Sequence, residues 1–177
     1  MLRAMFPPPI CDLASEAERL RPWRAGVIDV RDGKFNQVRW RGVRRRVSRL
    51  ERRLAGEWIH RHRAGDRCRI YFHVPRRCAG FLVVDYIVSQ RDTKFATFRC
   101  AVAALDQIAQ LTDTYAIVCD VSNLRISDRL LARWGWQPHA DHLAGRNFIK
   151  RFRSFSEARS DSRRVRSVLS LVGADGS

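Results

Sequence analysis

The chain has 177 residues, of which 45% are hydrophobic and 10% aromatic. That composition excludes wholesale disorder, and the length suits one domain with a real core better than two. The charge is unusual, because 34 lysines and arginines stand against 18 acidic residues and give a net charge of +16. Such a surface attracts anions such as a phosphorylated cofactor, nucleic acid or a ribosomal surface, although an arginine-heavy composition is an equally good explanation.

Cysteines and apolar runs give a first view of the compartment. No Cys-x-x-Cys pair and no zinc spacing occurs among the five cysteines, which are Cys11, Cys68, Cys78, Cys100 and Cys119. The apolar runs are too short for a membrane span, and the N-terminal residues lack the continuous apolar segment of a signal peptide. We therefore expect a cytoplasmic protein that binds no metal and contacts no membrane.

The first 40 residues predict a lead-in followed by a β-hairpin. Residues 1–22 form the lead-in, with a short helix predicted over residues 12–20 and Asp12 as its cap. Residues 26–30 and 35–40 are β-like runs on either side of Asp32-Gly33. Asp-Gly between two such runs is a strong signal for a hairpin.

The spacing of apolar residues changes between residues 43 and 62. There, apolar residues recur at intervals of three and four and predict an amphipathic helix. Arginine offers a forked donor to phosphate, so the positive side of this helix is a candidate nucleic-acid site, and a solvated face is the other interpretation. The arginines on this side are Arg44, Arg45, Arg46, Arg49, Arg52 and Arg53.

The middle of the chain predicts strands and helices in alternation. Residues 69–74 read as a strand, and residues 81–88 form an apolar run interrupted by one acid, typical of a central strand covered on both faces. Helical spacing returns over residues 94–111. Residues 115–121 are again apolar with one acid and predict another covered strand.

The last part of the folded region predicts a helix and two short strands. Apolar residues share one side of residues 126–134, and Gly135 follows where a C-terminal cap favours a left-handed residue. Residues 136–140 and 147–152 predict the strands. The composition then becomes polar and arginine-rich, so residues 23–153 form the domain and residues 154–177 a tail.

The run from Val121 to Trp136 resembles the late strand, helix and Gly-aromatic ending of the GNAT superfamily of acyl-CoA N-acyltransferases, with Asn123 closing the strand. The resemblance covers roughly residues 81–152. It implies an α/β fold whose mixed, mostly antiparallel central sheet is flanked by helices and splayed between the fourth strand, residues 81–89, and the fifth, residues 115–121. It also implies acyl transfer from acetyl-CoA or another acyl-CoA to an amine of unknown identity.

The resemblance also implies a cofactor site where the fourth strand meets its helix. Family members carry there Arg or Gln, two residues, Gly, one residue, then Gly or Ala. The segment from Arg91 to Ala96 matches at both ends, but Lys94 stands in place of the first glycine. Backbone amides and the helix N-terminus would hold the CoA pyrophosphate. The cofactor-binding candidates are Val88, Ser89, Arg91, Lys94, Phe95, Ala96 and Asn123.

Catalytic candidates come from the neighbouring strands. Many relatives carry a tyrosine acid where this chain has Leu131, so other groups are needed. A carboxyl group in a buried strand holds its proton more strongly, which suits a base, and an ion pair with an arginine is the alternative. His73 is either a base or an ordinary strand histidine. The catalytic candidates are Asp85, Tyr86 and Tyr115.

A second function fits the same sequence. The element from Asn123 to Trp136 favours the enzyme, whereas Lys94 and Leu131 favour a GNAT-like fold that has lost its chemistry. Such a protein would be a basic module that binds nucleic acid or a ribosome through the arginines of residues 44–53.

Overall fold

The computed structural model describes residues 7–41, 64–121, 126–140, 142 and 145–152. Three parts of the sequence-based interpretation lie outside these residues: the helix predicted over residues 43–62, Asn123 and the tail. The candidate nucleic-acid site lies outside them as well, with Arg44, Arg45, Arg46, Arg49, Arg52 and Arg53.

The described residues form an α/β fold around a mixed sheet of seven strands. The strand order is β2-β1-β3-β4-β5-β7-β6, and only β4 and β5 are parallel among the described neighbours. The predicted α/β class and the mixed, mostly antiparallel sheet are confirmed. The strands are β1 (Ala25–Arg31), β2 (Lys34–Trp40), β3 (Arg67–His73), β4 (Phe81–Ser89), β5 (Ala116–Asp120), β6 (Gln137–Pro138) and β7 (Asn147–Arg151). The helices are α1 (Ala17–Leu20), α2 (Phe95–Leu111) and α3 (Asp128–Arg133).

The chain divides into two compact units. Of the described residues, the first unit contains those within 7–73 and 85–112, and the second contains those within 74–84 and 113–152. Strand β4 contributes residues to both.

The first unit is built on the predicted hairpin. Asp32 and Gly33 both have positive φ angles, +49° and +74°, which is the turn that an Asp-Gly pair favours. Strand β1 pairs with β2 on one side and with β3 on the other, both antiparallel. Helix α2 packs on β1 and β3 and buries Ala101, Leu105 and Ile108. Gly26 has no room for a side chain, since an added Cβ would lie 2.6 Å from Cζ of Phe72.

The prediction for the lead-in helix is wrong in its start. The helix α1 covers Ala17–Leu20 instead of residues 12–20. The Asp12 side chain accepts hydrogen bonds from the Ala14 amide at 3.0 Å and from the Ser15 hydroxyl at 2.8 Å. These local bonds hold residues 12–15 in a turn, because a short acidic side chain competes with helical backbone bonding.

The second unit contains β5, β6, β7 and α3. Strand β5 pairs in parallel with residues 81–84 of β4 and antiparallel with β7. Its hydrophobic cluster consists of Cys78, Phe81, Val83, Ala116, Val118 and Ile149. The Ser127 hydroxyl caps α3 by accepting from the Leu130 amide at 3.2 Å, and Gly135 has the predicted left-handed backbone, with φ of +81°.

The strand predicted over residues 136–140 is much shorter in the structure. The paired residues of β6 are Gln137 and Pro138, and the His139 amide makes one more hydrogen bond to β7, to the Asn147 carbonyl at 2.9 Å. Pro138 has no amide hydrogen to donate, and Ala140 has a φ angle of +56°, which turns the chain out of the extended conformation.

Candidate active site on strands β3 and β4

Asp85, one of the predicted catalytic residues, lies on β4 between two basic side chains. One carboxylate oxygen, Oδ1, is 2.7 Å from Nδ1 of His73 at the end of β3. The other, Oδ2, accepts a hydrogen bond from the Arg41 guanidinium. The ion pair with an arginine, which was the alternative interpretation of Asp85, is therefore present. With a donor on each oxygen, Asp85 is arranged to orient its neighbours rather than to accept a proton.

Two tyrosines adjoin this group. The rings of Tyr71 and Tyr86 are stacked with their centroids 4.2 Å apart, and the Arg41 guanidinium lies 5.5 Å from the Tyr71 centroid. Burial raises the pKa of the Tyr86 phenol, with Tyr71 and Asp85 acting in the same direction and Arg41 against them. Tyr86, a predicted catalytic residue, is therefore protonated at neutral pH. We call Arg41, Tyr71, His73, Asp85 and Tyr86 the dyad cluster.

The strand register explains why polar groups collect on one side of β3. Alternate residues of a strand point to opposite faces. Cys68, Ile70 and Phe72 are buried hydrophobic residues, and the residues between them are polar or aromatic. The polar face of β3 consists of Arg67, Arg69, Tyr71 and His73.

A second carboxylate, Asp29 on β1, contacts the arginines at the start of β3, whereas Asp85 contacts His73 at its end. Arg67 makes two hydrogen bonds to it, at 2.6 and 2.8 Å, and Arg69 and Arg31 approach within 3.4 and 3.3 Å. The pairing of β1 with β2 shifts after Asp29, which leaves Asn36 as an extra residue whose side chain donates to Asp29 at 3.1 Å. We call this group the Asp29 cluster.

The Asp29 side chain is fully buried. Burial alone raises the pKa of its carboxyl group. The hydrogen bonds from Arg67 and Asn36 and the charges of Arg67 and Arg69 outweigh burial and lower that pKa to about 2. Asp29 is thus ionised at neutral pH and held by an excess of positive charge.

The junction of β4 and α2 contains most of the predicted cofactor-binding residues. Val88 is buried and Ser89 is partly buried at the end of β4. The exposed residues that follow are Arg91, Lys94, Phe95 and Ala96, and the Phe95 residue is 57% exposed. Arg91 pairs with Asp92 at the surface, with an N–O distance of 3.5 Å.

The carboxylate of Asp66, from the same chain, is hydrogen-bonded at the start of α2. The Lys94 amide donates to Oδ1 of Asp66 at 3.0 Å, and the Thr97 hydroxyl, which accepts from the Gly33 amide at 2.8 Å, is hydrogen-bonded to Asp66 as well. The bond with Thr97 lowers the pKa of Asp66, burial opposes this, and the Lys94 amide and charge lower it further. Asp66 therefore supplies negative charge where the resemblance expects the CoA pyrophosphate.

Tyr115, the third catalytic candidate, belongs to the hydrophobic cluster of the second unit. Its ring packs edge-on against Phe81 with centroids 5.4 Å apart, and its amide donates to the Gly80 carbonyl at 2.7 Å. The structure brings Asp85 and Tyr86 into the dyad cluster, whereas Tyr115 packs as a core aromatic side chain.

Sequence reasoning missed Arg41, Asp66 and the Asp29 cluster. One signal for the last was present: Asp29 interrupts an apolar run, and Arg67 and Arg69 stand two positions apart in a strand, which puts both on one face. Asp66 had no local signal, because its partner Lys94 lies 28 residues away.

No helix in the described parts of the chain is long and apolar enough to cross a membrane. Within the same parts, no group of three or more His, Cys, Asp or Glu residues is arranged to hold a metal ion.

Comparisons of the chain with protein-family models, with curated proteins and with solved structures give no match.

Proposed function

We propose that this protein transfers an acyl group from an acyl-CoA thioester, such as acetyl-CoA, to an amine. The observation that carries the proposal is that β4 is longer than its pairing with β5. Its parallel pairing with β5 ends at Val84 and Cys119, while β4 itself continues to Ser89 and leads into α2. A strand that continues past its pairing can bind an extended ligand, because its backbone groups serve as donors and acceptors.

In this proposal the cofactor follows β4 into the start of α2. Val88 and Ser89 contact the pantetheine arm, and the acyl carbonyl lies farther back along β4, toward Asp85. Arg91, Lys94 and the amides from Phe95 and Ala96 hold the pyrophosphate. Because Asp66 occupies the Lys94 amide, the exposed side chains of Arg91 and Lys94 supply much of the attraction for phosphate.

Thermal melting with acetyl-CoA tests the proposal. A ligand at a hundred times its Kd stabilises a protein by about 2.7 kcal/mol, a shift easily seen at this size. Lys94→Glu places a negative charge beside the pyrophosphate and should weaken binding about tenfold. Arg99→Glu changes the net charge equally on an exposed part of α2 and should leave the affinity within about twofold. The proposal is contradicted if saturating acetyl-CoA leaves the melting temperature of the wild-type chain unchanged.

A second candidate is a basic module that binds nucleic acid or a ribosome without catalysis. The Asp66 carboxylate at the start of α2 favours it, because it repels a pyrophosphate at that point. The net charge of +16 supplies the attraction for a polyanion.

Salt-dependent binding of a single-stranded RNA tests this candidate. Replacing Arg45, Arg49 and Arg52 by Gln should reduce the slope of log affinity against log salt by about two. The matched control replaces Arg76, Arg77 and Arg133, which are exposed elsewhere, and should alter the slope less. Equal effects of the two triple variants would indicate nonspecific attraction by net charge alone.

A further inference from the structure

We propose that His73 is the proton acceptor for the amine in this transfer and that Asp85 is the residue that positions it. The inference rests on the proposed function, because the amine and the thioester are its reactants. It replaces Asp85 with His73 in the role of base, and it assigns separate tasks to members of the dyad cluster.

The two nitrogens of the His73 ring have different surroundings. Nδ1 lies 2.7 Å from Oδ1 of Asp85, and a carboxylate oxygen only accepts hydrogen bonds. Nδ1 therefore carries the hydrogen, and a neutral ring has its lone pair on Nε2. Among the residues that the structure describes, no partner of Nε2 occurs, and the side chain is 31% exposed. The lone pair is thus within reach of a ligand.

Asp85 is held in place on both sides. Its other oxygen is held by Arg41, whose guanidinium lies over the Tyr71 ring, and Tyr71 is stacked on Tyr86. The carboxylate is 16% exposed, so water competes little for it. These contacts fix the direction in which Asp85 holds the imidazole. Asp85 is therefore a positioning residue and not the base.

Such a histidine accepts and returns a proton during the transfer. The amine nitrogen attacks the thioester carbonyl carbon, and the new C–N bond forms while Nε2 of His73 takes the proton from nitrogen. The C–S bond then breaks, the sulfur leaves as CoA thiolate, and the proton on Nε2 passes to that thiolate. The products are an amide and free CoA, and His73 returns to its neutral state. No oxidant, reductant or metal is needed for this balance.

The tautomer of His73 is the first measurement. Nitrogen-15 NMR of the full chain, recorded at a pH where the ring carries one hydrogen, should show that hydrogen on Nδ1 of His73, and Asp85→Asn should remove that preference. Asp92→Asn is the matched control, since Asp92 also pairs with an arginine but lies in an exposed turn. A wild-type ring that carries its hydrogen on Nε2 overturns the proposal. This measurement on the wild type needs no variant to fold.

The second measurement asks whether His73 adjoins the acyl group. Diethyl pyrocarbonate modifies unprotonated imidazole, and mass spectrometry follows each histidine separately. Saturating acetyl-CoA should slow the modification of His73 at least threefold, whereas adenosine 3′,5′-bisphosphate, which lacks the pantetheine arm, should not. His142 is exposed and serves as an internal reference whose rate stays constant.

These outcomes separate the two proposals. Binding of acetyl-CoA without protection of His73 overturns the role of His73 and leaves the acyltransferase standing. Failure of acetyl-CoA to bind removes the proposed function and the role of His73 with it. Binding, selective protection and the Nδ1–H tautomer together support both. With an accepted amine in hand, His73→Gln should then lower kcat at least a hundredfold and leave the affinity for acetyl-CoA within twofold.

Discussion

The Asp29 cluster and the dyad cluster hold one carboxylate each on the same sheet, but their surroundings differ. Asp29 is fully buried and meets three arginines and an asparagine. Asp85 is 16% exposed, and its partners include Arg41 and His73, whose other ring nitrogen is accessible. A carboxylate that is enclosed by permanent cations serves stability, because every contact is used within the fold. One that orients a titratable, accessible ring leaves a group available for chemistry.

The largest expected effect is on the enclosed carboxylate. Asp29→Asn removes the charge that balances Arg67 and Arg69, and leaves those arginines unpaired at a buried position. The free energy of unfolding, measured in urea at neutral pH, should fall by about 3–5 kcal/mol. Asp32→Asn, in the turn of the same hairpin, should change it by less than about 0.5 kcal/mol, because asparagine accepts the positive φ angle there. A loss below about 1 kcal/mol for Asp29→Asn would show that Asp29 and Asp85 contribute equally to the free energy of unfolding.

A second prediction concerns the loss of stability at acidic pH that Asp29 causes. The pKa of Asp29 is lowered from 3.8 to about 2 in the folded chain, so the native state holds its proton less strongly than the unfolded state. The stabilisation that results, of the order of 2 kcal/mol, is complete above about pH 5 and is lost as pH falls toward 2. Urea unfolding of the wild type and Asp29→Asn between pH 6 and pH 2 should show the two converging. A constant difference over that range would contradict the assignment.

A smaller effect is expected at the dyad cluster. Asp85→Asn keeps the size of the side chain and can still accept a hydrogen bond. The charged contact with Arg41 is partly exposed, which limits its contribution to stability. We expect a loss of about 1 kcal/mol in urea unfolding. A loss as large as that of Asp29→Asn would indicate a structural role and would remove the contrast between the clusters.

The smallest effect concerns the Tyr86 phenol. Arg41 lowers its pKa against the opposing influence of burial, so Arg41→Gln should move the titration of Tyr86 to higher pH. Absorbance of tyrosinate in a pH series measures this, and the comparison with Tyr86→Phe identifies which titration belongs to Tyr86. A titration that stays in place would show that Arg41 acts on Asp85 alone.

The sequence predicted well those elements whose signal is local. Asp32-Gly33 is sufficient for the hairpin, and the apolar run of β4 and the helical spacing of α2 need no distant partner. The start of α1 and the length of β6 were wrong because single residues decided them: the Asp12 carboxylate bonds to nearby groups, and Ala140 adopts a positive φ angle. Propensity averaged over a window does not register such choices.

The candidate site was only half predictable. Asp85 stood out as an acid inside an apolar strand, and His73 was noticed as a possible base. Their pairing across two strands depends on the register, which the alternation of residues along each strand does not determine by itself. The contacts of Asp29 join residues as much as 40 positions apart, and they depend on the pairing of β1 with β3.

The carboxylate of Asp66 at the first turn of α2 has a consequence for any phosphate that binds nearby. A phosphate site formed by backbone amides retains its affinity at high ionic strength, because the ligand is enclosed and counterions are excluded. Here the Lys94 amide already donates to Asp66, so a phosphate would depend on the exposed side chains of Arg91 and Lys94. Affinity at this corner of the molecule should therefore fall steeply as ionic strength rises, so that a search for ligands in dilute buffer and one in physiological salt would return different answers.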